Sequence, residues 1–199
     1  VLLGLALLMF GLYPALSLVA AKVTPRRLYN GLAPAQLLAF SSSSSVATMP
    51  VTLECVEHRI GASREVTRFV VPLGATINMD GTALYQGVAA MFIAQLYGVD
   101  IGISEMLTIV TTATLASIGT AGVPGVGLIM LVIVLQSIGI SPEAIAGGLT
   151  IIFGVDRFLD MCRTSCNVTG DAVVALIVSR FCSPSKGLKA AESSGSTDT

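Results

Sequence analysis

Charged residues are scarce in this 199-residue sequence, at 12%, whereas about a quarter of a typical soluble domain is charged. It has no tryptophan, one histidine and four cysteines, and 53% of it is hydrophobic. Its formal charge of -1 excludes the basic surface that nucleic-acid binding needs. The cysteines lack the paired short spacings of zinc sites and disulfide scaffolds, so we interpret them as buried thiols. The composition indicates a membrane protein.

Apolar runs between short charged connectors predict an all-α membrane protein. The first run is uncharged, has the length of a bilayer-spanning helix and ends in basic residues. The predicted order is a transmembrane helix (1–21), a cytoplasmic connector (22–30), a re-entrant helical hairpin (31–52), a second connector (53–68), a broken span (69–97), an external loop (98–105), a second re-entrant hairpin (106–138), an external loop (139–143), a last span (144–180) and a disordered cytoplasmic tail (181–199).

Three of the apolar runs are interrupted in the middle by serine, glycine, proline or polar residues, at 41–45, 74–82 and 117–125. Irregular backbone at membrane depth is tolerated only where protein or a water-filled cavity surrounds it. Secondary transporters use such interruptions to hold substrate and ions. The sequence therefore predicts a secondary transporter, in which two re-entrant hairpins form paired gates around a broken transmembrane helix.

The distribution of basic residues predicts the orientation of these segments. Cytoplasmic loops collect lysine and arginine, and neither predicted external loop has a basic residue. We therefore expect a multi-pass protein of the cell inner (plasma) membrane with a cytoplasmic C-terminus. The basic residues then assigned to the cytoplasmic side are Lys22, Arg26, Arg27, Arg59, Arg64, Arg68, Arg180, Lys186 and Lys189.

Six ionisable residues fall inside the predicted membrane segments, where each costs about 2.5 to 3.5 kcal/mol near mid-membrane. Their formal charge sums to -2, which a low-dielectric site holds poorly unless cations or protons bind. This deficit indicates coupling to cations. The six are Asp80, Asp156, Arg157, Asp160, Arg163 and Asp171.

Arg163 presents a planar fork that suits a carboxylate, and Asp160, about one turn away, could hold an ammonium group. Together they suit an amino acid with an extra carboxylate. The alternative is that Arg163 forms a buried ion pair with Asp160 or Asp156 that only holds the helix. For Arg157 we favour a structural pairing.

Hard oxygen ligands for a sodium-like ion are available from Asn78, Asp80, Asn167 and Asp171. Backbone carbonyls freed at Gly74 or at residues 117–120 could complete the coordination. The alternative is that these side chains only satisfy the broken backbone.

Four motifs occur in the order found in the glutamate transporter family, the dicarboxylate/amino acid:cation symporters, which the chain therefore resembles. They are SSSSVATMP at 42–50, NMDGT at 78–82, GTAGVPG at 119–125 and the segment 160–171. The resemblance implies sodium-coupled symport of aspartate or glutamate by alternating access. It also implies that this chain is the C-terminal transport-core half of a longer homotrimeric parent, that the scaffold half is missing, and that hairpin two is the external lid.

The resemblance further implies roles for individual residues. The substrate side-chain carboxylate would bind Arg163 and its amino group Asp160. The rest of the substrate would contact Ser45, Thr82, Val123, Gly127, Thr164 and Asn167. Co-transported sodium ions would bind Gly74, Asn78, Asn167 and Asp171 at one site, Thr76, Ser117, Ile118, Gly119 and Thr120 at a second, and Asn78 with Asp80 at a third.

Other functions remain as alternatives. A C4-dicarboxylate symporter or a proton-coupled symporter would share this fold, and a non-transporting or inactive membrane fragment would show no substrate flux. An enzyme is not expected, because the only histidine, His58, lies in a charged connector and no base is placed near the serines.

Overall fold

The computed structural model describes residues 1–118 and 122–182. Within these two ranges the chain is helical and contains no strand, which confirms the all-α class. The helices are α1 (Leu2–Leu7), α2 (Tyr13–Val19), α3 (Pro25–Ser42), α4 (Ser45–Glu54), α5 (Arg64–Ile77), α6 (Asp80–Leu96), α7 (Ile103–Ser117), α8 (Val126–Ser137) and α9 (Pro142–Cys182); π-helical segments at Leu8–Leu12 and Cys55–Ile60 follow α1 and α4.

The first apolar run forms one continuous helix, Leu2–Val19, in which the π-helical segment joins α1 to α2. Its mean hydropathy is 2.1 and only 17% of it is buried. Among the residues that the structure describes, this is the one helix that is long and apolar enough to cross a membrane by length and composition.

Two pairs of consecutive helices pack against each other, α3 with α4 and α7 with α8. The turn between α3 and α4 consists of Ser43, in the left-handed region at φ 53°, and Ser44, which caps α4. Helices α7 and α8 have 15 and 12 residues, or about 22 and 18 Å at 1.5 Å per residue. Each is shorter than the roughly 30 Å of a bilayer's hydrocarbon core. That the two pairs re-enter a membrane stays a prediction.

The helix that begins at Arg64 is interrupted after Ile77, and the next helix begins at Asp80. Asn78 and Met79 between them have φ values of -93° and -111° with ψ values of 75° and 56°, which are not helical. Asp80 therefore lies in the first turn of α6, where the helix dipole favours an acidic residue. This break lies within the segment for which a broken span is predicted.

Helix α9 runs through the middle of the molecule and connects two hydrophobic cores. Its first part packs with α6 and α8, and its last part packs with α1 to α5. Between the two cores α9 carries a buried polar stretch from Asp156 to Asp171. A polar site is thus enclosed where two apolar cores meet.

The interpretation of all four cysteines as buried thiols is wrong for Cys182. Cys55 and Cys166 are buried and Cys162 is partly buried, but Cys182 is exposed. It is the last residue of α9, beyond the part of the helix that other elements cover.

Candidate functional site

A small cavity of about 20 Å³ lies between the buried polar stretch of α9, the break between α5 and α6, and the tips of the two helix pairs. Each residue that the sequence predicts to contact substrate lines it: Ser45, Thr82, Val123, Gly127, Asp160, Arg163, Thr164 and Asn167. The structure thus brings together residues from four separate parts of the chain. Lining residues that the sequence analysis did not assign are Ser43, Met79, Gly122 and Val126.

Arg163 is the largest fully buried side chain of the site, with 1% of its surface exposed. Its Nε lies 3.0 Å from Asp160 Oδ1 and its Nη1 lies 3.3 Å from Asp156 Oδ1. The guanidinium carbon is 4.0 Å from the centroid of the Tyr85 ring, within the range of a cation–π contact. The third nitrogen, Nη2, has no hydrogen-bond partner in the described part of the chain.

The unpartnered Nη2 of Arg163 points at the start of α8. A Cβ atom built on Gly127 would lie 2.5 Å from Nη2, so only glycine fits there without displacing the guanidinium. A buried guanidinium N–H without an acceptor is costly. Its position beside the cavity makes it a donor for an anionic ligand.

Asp160 links Arg163 to the tip of the second helix pair. Its Oδ1 accepts from Arg163 Nε, and its Oδ2 accepts from the backbone N–H of Gly125 at 2.9 Å. Thr164 Oγ1 donates to the Asp160 carbonyl oxygen at 2.7 Å. Arg163 is therefore ion-paired with both Asp160 and Asp156, which is the alternative role predicted for it from the sequence. These ion pairs do not involve its Nη2 atom.

Asn167 joins α9 to the first turn of α6. Its Oδ1 accepts from the backbone N–H of Gly81 at 2.8 Å, and its Nδ2 donates to Thr82 Oγ1 at 3.1 Å. A Cβ atom on Gly81 would lie 3.0 Å from both this Oδ1 and the Arg163 carbonyl oxygen. Glycine at this position lets the start of α6 approach α9 closely.

Three of the four residues predicted for the first sodium site are in contact, and the fourth is one helical turn away. Asp171 is 2% exposed, and its Oδ1 accepts from Asn78 Nδ2 at 3.0 Å. A Cβ atom on Gly74 would overlap the same oxygen. Asn167 lies four residues before Asp171 and so on the same side of α9.

Asp80, assigned with Asn78 to the third sodium site, accepts a hydrogen bond from the Tyr13 hydroxyl at 3.0 Å. Tyr13 is buried, and a Cβ atom on Gly170 would lie 2.9 Å from its hydroxyl and 3.0 Å from Asn78 Nδ2. Tyr13 is not among the residues predicted from the sequence. The available signal was its hydroxyl within an otherwise apolar span, together with the nearby Ser17.

The second predicted sodium site is only partly within the described ranges. Ser117 is buried, Ile118 is 46% exposed, and Thr76 Oγ1 donates to the Leu73 carbonyl. Gly119 and Thr120 lie outside the described residues. No cluster of three or more His, Cys, Asp or Glu side chains that could hold a metal ion occurs in residues 1–118 and 122–182.

Arg157 is exposed and forms no ion pair with any described residue, so the structural pairing expected for it is wrong. It lies one residue after Asp156, and a rotation of about 100° along α9 turns it away from the buried face. Tyr85, which covers the face of Arg163, was also missed by the sequence analysis, since nothing in the sequence relates positions 85 and 163.

The two helix-pair tips touch at Gly122. Ser44 Oγ donates to the Gly122 carbonyl oxygen at 2.7 Å, and Val46 N donates to the same oxygen at 3.3 Å. A Cβ atom on Gly122 would lie 3.0 Å from the Ala75 carbonyl oxygen and 3.2 Å from Ser45 Cβ. These contacts close the cavity between the tips.

Comparison with known proteins assigns the chain to a family. The sequence profile of the sodium:dicarboxylate symporter family matches residues 1–181. The chain belongs to this family. The resemblance inferred from the four motifs is therefore confirmed, and the site described above is that of a family member.

Relatives of this symporter-family chain have names that specify excitatory amino acids. It is 49% identical to excitatory amino acid transporter 3 of Mus musculus over 181 residues, 91% of this chain and 34% of that protein. It is 46% identical to an excitatory amino acid transporter of Caenorhabditis elegans over 181 residues, 91% of this chain and 35% of that protein. It is 42% identical to excitatory amino acid transporter 4 of Rattus norvegicus over 192 residues, 96% of this chain and 34% of that protein. The chain spans about a third of the length of these curated relatives.

The Ser44–Gly122 hydrogen bond should control access to the cavity. Ser44→Ala also removes the α4 cap that Ser44 Oγ accepts from Ala47 N, but that cap lies within α4 and is lost whether the tips are together or apart. The lost hydrogen bond between the tips costs about 0.5 to 1.5 kcal/mol, so Ser44→Ala should raise the open fraction about two- to tenfold. The reporter is a cysteine in place of Ser45, which is buried, in a background where the exposed Cys182 is serine. Its maleimide labelling should become faster by the same factor.

The matched control is Ser41→Ala. Ser41 is exposed, and its hydroxyl bonds only to the Leu38 carbonyl within the same helix. Its removal should leave the labelling rate unchanged. Equal rates in the Ser44 and Ser41 variants would show that this bond does not hold the tips together.

Proposed function

We propose that the protein containing this chain transports an acidic amino acid, aspartate or glutamate, across the membrane together with sodium by alternating access. The observation that carries this proposal is the buried Arg163, which lines the cavity and whose Nη2 has no hydrogen-bond partner among the described residues. The family, and relatives whose names specify excitatory amino acids, support it. On this proposal the protein is a transporter and not an enzyme.

The substrate is proposed to contact the eight residues that line the cavity. Its side-chain carboxylate accepts from Arg163, because a guanidinium presents parallel N–H donors that match two carboxylate oxygens. Its ammonium group binds Asp160. Polar and backbone groups around them contact the rest of the molecule; these are Ser45, Thr82, Val123, Gly127, Thr164 and Asn167.

Sodium coupling is supported by the charge of the buried site. The buried ionisable side chains of α9 from Asp156 to Asp171 are three carboxylates and one guanidinium, which leaves a formal charge of -2. Cations that enter with the substrate would neutralise it. We propose three sodium sites. The first consists of Gly74, Asn78, Asn167 and Asp171, and the second of Thr76, Ser117, Ile118, Gly119 and Thr120. The third consists of Asn78 and Asp80, and the Tyr13 hydroxyl that contacts Asp80 adds a further oxygen there.

Re-entrant hairpins are supported by helix lengths. Helices α7 and α8 are each too short to cross the hydrocarbon core. A packed pair that enters the membrane and leaves it on the same side accounts for the lengths of both helices. The pair α3–α4 is proposed as the hairpin on the other side. The broken span is proposed to be α5 with α6. The tip of α7–α8 is proposed as the lid because Gly125 contacts Asp160, and its external position rests on the distribution of basic residues and on the family resemblance.

The protein is proposed to lie in the plasma membrane with its C-terminus in the cytoplasm. The many large apolar side chains exposed along the helices would face lipid or protein. The bias of basic residues toward one side supports the orientation. A homotrimer of the full-length protein, built through a scaffold that precedes this chain, is proposed from the family resemblance alone.

A C4-dicarboxylate substrate has one observation in its favour. Each oxygen of Asp160 already accepts one hydrogen bond, from Arg163 Nε or from Gly125 N, so an ammonium group has to share Asp160 with these donors whereas a dicarboxylate does not need it. The family name also includes dicarboxylates. Proton coupling is the corresponding alternative for the ion. The experiment below separates these possibilities.

Uptake of labelled L-aspartate into proteoliposomes should require an inward sodium gradient. The protein that contains this chain is reconstituted, and excess unlabelled L-glutamate or succinate is added. We expect L-glutamate to compete and succinate not to compete. Uptake driven by a pH gradient without sodium would overturn sodium coupling, and competition mainly by succinate would overturn the amino-acid assignment.

Arg163→Lys should raise the aspartate concentration for half-maximal uptake about tenfold to hundredfold. Lysine keeps the charge between Asp156 and Asp160 but removes the fork, and a hydrogen bond to a charged group contributes about 1.5 to 3 kcal/mol. The matched control is Arg157→Lys on the exposed face of the same helix, which should transport as the unaltered protein does. An unchanged concentration in Arg163→Lys would mean that the guanidinium does not bind the substrate.

Asp171→Asn should raise the sodium concentration for half-maximal uptake about tenfold or more. The substitution removes a charged oxygen that faces Gly74 and Asn78 while keeping the shape of the side chain. Asp100→Asn is the control, since Asp100 lies in an exposed loop. A sodium dependence that does not change would remove Asp171 from the proposed ion site.

A further inference from the structure

A cleft with three arginines lies far from the substrate site, between the start of α3 and the end of the π-helical segment Cys55–Ile60. It is lined by Thr24, Arg26, Arg27, Asn30, Gly31 and Arg59. We call it the arginine cleft. No acidic residue of the ranges 1–118 and 122–182 lines it.

The three arginines have no carboxylate of a described residue within 4.0 Å. Neighbouring basic residues differ in this respect, since Arg64 and Arg68 lie 4.0 and 3.3 Å from Glu57. Three guanidinium groups around one cleft repel one another, and here no acid offsets that repulsion. An anion bound between the three guanidinium groups would offset their repulsion.

Two glycines bring the arginines together. A Cβ atom on Gly31 would lie 2.5 Å from Ile60 and 3.5 Å from Arg59 Cβ, so glycine lets the end of the π-helical segment approach α3. Gly61, at φ 95°, ends that segment, and Arg27 Nη2 lies 3.0 Å from the position of its Cβ. The close approach of the two backbones therefore brings Arg59 and Arg27 to the same cleft.

The chemistry of the cleft suits a phosphate group. Guanidinium groups bind phosphate oxygens in pairs, and the N-terminus of α3 adds the positive end of an 18-residue helix dipole. Asn30 and Thr24 are the other polar side chains that line the cleft. A phosphate bears more than one oxygen and can contact several of these donors at once.

The position of the cleft favours a lipid as the source of the phosphate. Helix α2 ends at Val19, five residues before Thr24, so the cleft begins where the apolar helix Leu2–Val19 ends and headgroups are expected. Leu18 and Val19 at that end are 49% and 69% exposed and could contact an acyl chain. We propose that the arginine cleft binds the headgroup phosphate of an anionic phospholipid.

The test titrates dioleoyl-phosphatidylglycerol into the delipidated, detergent-solubilised protein that contains this chain and counts bound lipids by native mass spectrometry. Replacement of Arg26, Arg27 and Arg59 by glutamine should weaken binding roughly fivefold per arginine, since each basic residue near an anionic surface contributes about that factor. Binding of dioleoyl-phosphatidylcholine should not change. Single Arg27→Gln and Arg59→Gln variants serve if the triple variant is not monodisperse.

The control is Arg64→Gln with Arg68→Gln, which removes basic residues already paired with Glu57 and should leave phosphatidylglycerol binding intact. A loss as large as in the triple variant would overturn the proposal in favour of diffuse surface charge. An unchanged affinity in the triple variant would overturn it directly. Displacement of the lipid by millimolar glycerol phosphate would overturn the assignment to lipid and leave a soluble phosphate as the ligand.

Discussion

The burial of one guanidinium is the constraint on which the rest of this structure depends. A charge removed from water is tolerated only where paired charges and hydrogen bonds replace its hydration. For Arg163 these are Asp156, Asp160 and the ring of Tyr85. They satisfy two of its three nitrogens, and the remaining one requires an acceptor that the described residues do not supply. The missing acceptor makes this guanidinium costly to bury without a ligand, and it also makes the guanidinium suited to an anionic ligand.

Glycines set the distances between α9 and the elements around it. At Gly74, Gly81 and Gly127 a Cβ atom would come within 3.0 Å of Asp171, Asn167 or Arg163. Larger residues would separate the broken helix and the second helix pair from the polar side chains that they contact. The short polar and glycine-rich motifs are therefore explained as contact surfaces for α9, and the conformational freedom of glycine is secondary at these three positions.

Residue spacing alone relates the polar side chains of α9, because Asp156, Asp160, Arg163, Asn167 and Asp171 follow the helical period and so share a face. Glycine, proline and serine within apolar runs likewise indicated where helices stop. The contact partners of these side chains are harder to predict from the sequence. Tyr13 bonds to Asp80 across 67 positions and Tyr85 covers Arg163 across 78, and no local pattern relates such pairs. The sequence likewise assigned Arg157 a partner that its exposed position does not provide.

The hydrogen bonds of Asp160 connect the charge of a bound substrate with closure of the cavity. Its two oxygens hold Arg163 and the tip residue Gly125, so an ammonium group can bind only by sharing or replacing one of these contacts. A ligand carboxylate at Arg163 would weaken the pull of that guanidinium on Asp160 and make the exchange easier. On the proposed function, a ligand that has both a carboxylate and an ammonium group keeps the carboxylate of Asp160 neutralised. A dicarboxylate would instead add negative charge beside Asp160. The difference favours an acidic amino acid for electrostatic reasons, and it requires no movement of α9.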